Sequence, residues 1–461
     1  MSKVPHLTPA DLRQMGRTPT LPFSLTLADD SLLRVETLLR LLPGKRLVGQ
    51  ARWQDQAVLA KLFLATEATR HGERERTGIT ALQTAGLPTP ALRYAAPLPG
   101  GGFVVLSDFL EGAESLGARW AAQPEPGTLF PTLRLLGQMH AHGLIQSDLH
   151  LDNFLHHAGR CWVIDGDGVR PDHATTDNLA LLLAQLPPTW DGGIESLLPA
   201  YAEGGVPMPD PGALRRAVAA QRQRRLIRFL QKTVRDCSQF AVNRSPRRFT
   251  AVLRDAAPAL PEVLAHPDAA LRDGKLLKDG GTCTVASIAA GGDTVIIKRY
   301  NLKHWRHALS RAWRPSRAWH AWKEAHRLGF YGIATPRPLA LIEERLGPLR
   351  GRAFLLTDYC PGENLLALLS PDAPPPADIG AALTRVFALL HALKISHGDL
   401  KATNLLWHAG EVVLIDLDAA HQHRSDKGHA RAWRRDRARL LRNWPAGSAL
   451  HVWLDTNLPP A

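Results

Sequence analysis

The chain has 461 residues, 45% hydrophobic and 21% charged, with a formal net charge of +13. That length predicts two or three domains, each able to bury a core, and the composition excludes a disordered or fibrous chain. The charge favours anionic partners, among them nucleic acid, acidic lipid and phosphorylated saccharides, without choosing between them.

The opening stretch, MSKVPHLTPADLRQMG, is polar and mixed, and no run of 18 apolar residues occurs. The chain is therefore expected neither to span a membrane nor to be exported. Cys161, Cys237, Cys283 and Cys360 are scattered, which points to a reducing compartment, the cytoplasm, and away from disulfides or a thiolate zinc site. The histidine pairs His140/His142 and His156/His157 lack a tetrahedral ligand framework.

In chain order, AVLAKLFL (57–64) reads as a strand and is followed by the charged GERERTGITAL. An apolar run then ends at Pro88 and Pro90, which stop a helix. GGFVVLSDFLEG reads as a strand leaving into a turn, and LRLLGQMHAHG as a helix. That helix enters a long loop, HGLIQSDLHLDNFLHHAGRCWVIDGDG (142–168). Residues 182–212 are rich in Pro and Gly, and a basic helix follows, closing the first domain. Its Leu226, Phe229, Leu230 and Val234 recur at helical spacing and are expected to pack on that domain, with an anionic lipid surface as the rival use.

The second half repeats the order: TVIIKRY as a strand, AWHAWKEAHRLGFYGIATPRP as helix and Pro stop, AFLLTDYCPGENL as strand and turn, IGAALTRVFALLHAL as a helix. A second loop closes the series, HGDLKATNLLWHAGEVVLIDLDA (397–419). The period of about 250 residues is far longer than a solenoid repeat and predicts two domains in tandem.

In each loop an Asp is followed by an Asn five residues on and by another Asp twelve after that: Asp148, Asn153 and Asp165, then Asp399, Asn404 and Asp416. Phosphoryl transfer needs this set, a carboxylate beside the acceptor hydroxyl and an amide oxygen plus a carboxylate to hold Mg²⁺ against a triphosphate. It also needs a cation on the phosphates, and Lys61 and Lys298 stand on strands well upstream. Glu75 is the expected helix partner of Lys61, with Glu73 as runner-up. In the second half the matching place is Ala321, and Glu324, one turn later, is the substitute. Gly280 and Gly281 are the expected phosphate cradle, with Gly44 and Gly49 a weaker one. Between the loops Gln146 stands opposite His397, and His150 opposite Lys401.

HGDLKATN with LIDLD, together with SRAWHAW and GIATPRPLA, resembles the lipopolysaccharide kinases that phosphorylate Kdo or heptose in the inner core, a branch of the protein-kinase-like fold. The first half is similar to the same group through LPTP, LEG, SDLHLDN and VIDGD. The resemblance implies an α+β fold of two tandem protein-kinase-like domains, each with a small β-rich N-lobe and a mainly helical C-lobe. Expected boundaries are an extension at 1–24, domains at 25–240 and 260–461, and a linker at 241–259. It implies ATP and Mg²⁺ as cofactors, Asp148 and Asp399 as catalytic carboxylates, Asn153, Asp165, Asn404 and Asp416 as metal ligands, and Lys61 and Lys298 on the phosphates. Asp167 and Asp418 assist or are structural, and Asp177 and Asp436 brace the C-lobes.

The implied activity is ATP-dependent phosphorylation of a sugar hydroxyl, on heptose, in a lipid-linked lipopolysaccharide core saccharide. The protein would be cytoplasmic, peripheral at the inner face of the bacterial inner membrane, using its basic surface on anionic lipid. The aromatic and basic stretch from Lys298 to Lys323 would suit nucleic acid in isolation, but the paired loops favour the glycolipid. The alternatives are a kinase for another small-molecule or protein acceptor, and a nucleotide-binding pseudokinase scaffold.

Overall fold

The computed structural model describes residues 4–301, 315–347 and 349–460. It divides into two compact units, Met1–Gln223 and Arg224–Ala461.

The first unit opens with a short helix, Pro9–Gln14, whose first turn is closed by a reciprocal Thr8–Asp11 capping box. Leu12 of this helix and Phe23 are buried in the core of the sheet that follows, so residues 1–24 are part of the fold rather than an extension. The sheet has six strands in the order Phe23–Thr26, Leu32–Leu42, Arg46–Trp53, Gln56–Phe63, Phe103–Asp108 and Leu92–Pro97. Strand Gln56–Phe63 lies inside the sheet, with Lys61 paired to Val48 on one side and Val105 on the other. A second core gathers the helices and short strands of the rest of the unit around Leu133, Leu136, Met139, Phe154, Leu179 and Tyr201.

The division between units falls inside the helix Pro211–Lys232. Leu214 and Val218 belong to the first unit's core, whereas Leu226 and Leu230 are buried in the second's, with Phe229 packed against it. The apolar stripe thus serves protein packing, as expected, but for the second unit instead of the first. The expected linker 241–259 is largely a hairpin. Strands Phe240–Arg244 and Arg248–Leu253 pair with each other, and the latter continues the ladder onto Pro338–Leu346. Their alternation, with Phe240, Phe249 and Ala251 inward and arginines outward, is too short to stand out beside the surrounding basic residues.

With this hairpin the second unit's sheet has seven strands, completed by Leu349–Asp358, Asp293–Tyr300, Cys283–Ala290 and Lys275–Gly280 in that order. Its remaining core is built mainly of helices, Ala377–Ala392, Asp426–Leu441 and Ala449–Asn457, packed around Phe387, Leu390, Trp433 and Leu450. Four cysteines are free, and among the described residues no helix is long and apolar enough to cross a membrane.

His326, on the helix Arg317–Phe330, is 8% exposed and ringed by Trp322, Phe240 and Phe229 at centroid distances of 4.3, 5.2 and 5.9 Å. Burial, aided by Arg337, pushes its imidazole down to about 3. The folded protein therefore holds it neutral, while the unfolded chain protonates it below about 6.5. Stability from this site is complete above that value and is lost as pH falls toward 3. Urea denaturation at a series of acidic pH values is expected to show a shallower loss of stability for His326→Phe than for the wild type. Equal slopes would reject this assignment.

Candidate active site

In both units a tight hairpin explains the twelve-residue spacing of Asn and Asp. Asn153 immediately precedes strand Phe154–His157, and Asp165 follows its partner Arg160–Val163 by two residues. The N–H of Ile164 donates to the carbonyl of Asn153 at 2.8 Å. In the second unit Leu405–His408 and Glu411–Leu414 do the same for Asn404 and Asp416, and Ile415 N–H donates to Asn404 at 3.0 Å. Both aspartates adopt left-handed backbone, with φ of 71° and 60°, which turns the chain sharply at the hairpin's end.

In the first unit the ammonium of Lys61 lies 2.6 Å from Glu75 Oε1 and 3.0 Å from Asp165 Oδ1. Glu75 is buried on the helix Ala68–Thr84, and its two oxygens also accept the N–H groups of Gly166 and Asp167, at 3.1 and 2.9 Å. Glycine makes this docking possible. A Cβ on Gly78 would lie 2.0 Å from the carbonyl oxygen of Gly166, and one on Gly166 would lie 2.4 Å from that of Glu75. Burial raises the Asp165 carboxyl, but the adjoining Lys61 ammonium outweighs it and brings it down to about 2. Burial also opposes the charge on Lys61, yet Glu75 and Asp165 together leave its ammonium more strongly protonated than usual. Glu73, the runner-up, pairs instead with Arg76.

The second unit solves the same problem differently. Lys298 contacts Asp416 Oδ1 at 2.5 Å and Asp418 Oδ2 at 2.9 Å. Asp418 also accepts the Tyr300 hydroxyl at 2.6 Å and the Arg317 guanidinium at 2.6 Å. Ala321 occupies the place matching Glu75 and lines the cleft. Glu324 does not reach Lys298; it is buried and bonded to Arg327 at 2.8 and 3.2 Å. One helical turn is not an exact revolution, and the displaced carboxylate faces its own helix neighbour instead of the sheet. Tyr300 and Arg317 were not anticipated, although each had a signal. Tyr300 stands two residues after Lys298 and so shares its face of the strand, and Arg317 stands one turn before Ala321.

Gly280 and Gly281 lie at the turn of the hairpin between Lys275–Gly280 and Cys283–Ala290. Neither has positive φ, and a Cβ on Gly281 would meet nothing within 4 Å. The cleft is lined from this hairpin by Leu277, Lys278, Cys283 and Val285 rather than by the glycines. In the first unit Gly44 forms the equivalent hairpin turn at φ 68°, and Gly49 is required by a close approach to the carbonyl of Thr37.

The loop carboxylates each face a cation. Asp148 is exposed and bonds His150 Nε2 at 3.0 Å, a hydrogen bond that holds its carboxyl below the usual range. Asp399 lies 3.4 Å from Lys401 and pairs also with Arg439. Asn404 donates to the Asp399 backbone carbonyl at 2.9 Å, and Asn153 accepts the His150 N–H at 2.9 Å. Gln146 donates to the carbonyls of Ile164 and Asp165 at 2.9 and 2.7 Å, and His397 bonds that of Ile415 at 3.0 Å, so both brace the loop as expected. Asp436 accepts the N–H groups of His397 and Gly398. Its expected counterpart, Asp177, is exposed, and the neighbouring Asn178 takes the role, donating to the Gln146 carbonyl at 2.7 Å.

A cleft of about 350 Å³ opens beside Lys298 in the second unit, with walls that include Ile296, Leu355, Leu406 and Ile415 and a floor that holds Asn404 and Asp416. An apolar slot ending in a lysine and hard oxygen donors suits a flat base at one end and a metal-bound polyanion at the other. Residues 280–450 match the lipopolysaccharide kinase (Kdo/WaaP) family. The matched span holds Lys298, the second loop and the whole of this cleft's charged end. No curated protein matches the chain. Among solved structures, WaaP in complex with acyl carrier protein is similar at 20% identity, over 38% of this chain and 73% of that one, with a TM-score of 0.29. Residues 302–314, most of the aromatic and basic stretch, lie outside the described residues.

The two carboxylates that follow the metal-site aspartates differ in burial, at 9% exposed for Asp418 and 21% for Asp167, whose partners are the exposed Arg74 and His71. Removing one partner of a buried pair costs far more than breaking a wet one. Asp418→Asn is expected to destabilise its unit by about 2 kcal/mol, and Asp167→Asn by under about 1 kcal/mol, as read by chemical denaturation. A reversed order would show that Asp418 is not the anchor of Lys298.

Proposed function

We propose that the chain is an ATP-dependent phosphotransferase acting on a sugar hydroxyl, on heptose, of the lipopolysaccharide inner core, and that it consists of two tandem protein-kinase-like domains. The observation that carries this is the contact between sheet lysine and hairpin aspartate, made in both units, at 3.0 Å for Lys61–Asp165 and 2.5 Å for Lys298–Asp416. A lysine buried against the carboxylate that would hold a metal is a device for gripping a metal–triphosphate, and the family match to residues 280–450 supplies the acceptor class.

The residues present fit magnesium and ATP. Asp416 and Asn404 would hold the metal, Lys298 the phosphates and the apolar walls the base; in the first unit Asp165, Asn153 and Lys61 would do so, with Glu75 steadying the lysine. Magnesium–ATP, when bound, supplies the transferable γ-phosphoryl group. Asp399 orients the acceptor hydroxyl and takes its proton, held in place by Asn404 and by the loop that His397 and Asp436 brace. Catalysis is assigned to the second unit, with the cleft and the family match in its favour. A lipid-linked acceptor places the protein at the inner face of the bacterial inner membrane, in the cytoplasm, held by basic surface.

A second active site in the first unit is favoured by one observation, the complete lysine, helix glutamate and aspartate set around Lys61. Transfer of labelled phosphate from ATP to dephosphorylated core lipopolysaccharide separates these outcomes. Asp399→Asn is expected to lower transfer by about 10²-fold or more, and Asp148→Asn by a smaller factor. Loss from Asp148→Asn alone would move catalysis to the first unit. Nucleotide binding without transfer by the wild type would replace the kinase with a nucleotide-binding scaffold.

A further inference from the structure

The helix Asp426–Leu441 carries an unusual charge distribution. Lys427, Arg431, Arg434, Arg435, Arg439 and, just beyond its end, Arg442 are all exposed. Residues 431, 435, 439 and 442 follow the three- and four-residue steps that keep side chains on one face. The helix's own carboxylates do not neutralise them. Asp426 pairs with Lys394, and Asp436 is buried on the backbone of His397 and Gly398. Among the described residues, Lys427, Arg431, Arg434 and Arg435 form no ion pair with any carboxylate, and Arg437, on a different face, is engaged by Asp455.

Arg439 is the exception, because its guanidinium pairs with Asp399, the carboxylate assigned to the acceptor hydroxyl. The row of cations thus runs along the helix and ends on the catalytic loop. With Lys401 on its other oxygen, Asp399 has both oxygens facing cations. Asp148, at the same place in the first unit, is 83% exposed and has His150 as its cation.

We propose that this face of the helix is the docking track for an anionic saccharide acceptor, and that Arg439 gates the site by exchanging Asp399 for an acceptor phosphate or carboxylate. The inference rests on the kinase assignment above and names the part of the chain that selects the acceptor. A planar guanidinium fork binds carboxylate and phosphate with the same two-bond geometry, so the exchange conserves its hydrogen bonds. Without acceptor, Asp399 is occupied and poorly placed to activate water. With acceptor, Arg439 moves to the anion and Asp399 is released beside the hydroxyl that the same anion has positioned. A row that descends to a partly buried carboxylate suits a chain-like polyanion better than a flat headgroup plane, so a bilayer contact is the competing outcome.

Three measurements on the full chain test this. Isothermal titration with deacylated core oligosaccharide, against its dephosphorylated and carboxyl-reduced counterpart, is expected to show preference for the charged form. In the Arg431→Gln/Arg434→Gln/Arg435→Gln variant that affinity should fall about tenfold, with a weaker salt dependence. ATP hydrolysis without acceptor is expected to rise about threefold in Arg439→Gln and less in Arg439→Lys, a gain that misfolding does not produce. Equal affinity of the triple variant and wild type for the oligosaccharide, or unchanged hydrolysis in Arg439→Gln, overturns the proposal. Loss of binding to phosphatidylglycerol vesicles with oligosaccharide affinity intact would make the helix a membrane contact and also overturn it. Absence of ATP turnover in the wild type under any condition would instead remove the kinase assignment on which it stands.

Discussion

A lysine ammonium taken out of water must find carboxylates, and both units of this protein are arranged around that requirement. Lys61 and Lys298 each project from a strand inside an antiparallel sheet, where the ladder fixes the backbone and leaves the side chain little choice of direction. One counter-charge is common to both, the aspartate at the end of the hairpin. The other differs, a helix glutamate in one unit and the aspartate two residues further along the loop in the other. The elements that surround each site follow from which solution was taken. In the first unit the helix must lie against the hairpin's end, so its contact surface is pared to glycine at Gly78 and Gly166. In the second the helix offers Ala321 and Ala325 to the cleft, and a tyrosine and an arginine take up the remaining valences of Asp418.

Much of this arrangement was legible in the chain. The duplicated order of strands and helices, the two lysines, the Asp, Asn and Asp spacing and the Glu75 partner could all be read, because each depends on local periodicity or on a short fixed distance in sequence. Gln146 was legible for the same reason, since an amide can brace a loop as an imidazole does. What could not be read depends on contacts far apart in the chain. The Asp418 cluster joins residues 298, 300, 317 and 418, and only the folded sheet shows that they meet. Glu324 misled because counting along a helix gives a face only to within a fraction of a turn.

The domain edges were hidden for a related reason. A helix with one continuous apolar stripe looks like a single packing surface, yet Pro211–Lys232 gives its first half to one core and its second half to another. Likewise a two-strand hairpin rich in arginine resembles a connecting segment until its inward residues find a sheet to join. Asn178 standing in for Asp177 is a case of a single residue's slip along a helix. The buried position accepts and donates at once, and an amide satisfies both demands where a carboxylate cannot.

The exchange of Glu75 for Ala321 has a consequence for motion. In the first unit the helix Ala68–Thr84 supplies the counter-charge of the lysine and the acceptors of two loop N–H groups through one side chain, so any sliding of that helix undoes several bonds together. Such a joint behaves as a latch, closed or open with little between. The corresponding helix in the second unit is held to Asp418 at its first residue alone, through a long arginine. It acts as a hinge pin, free to pivot while Lys298 stays in register with its two aspartates.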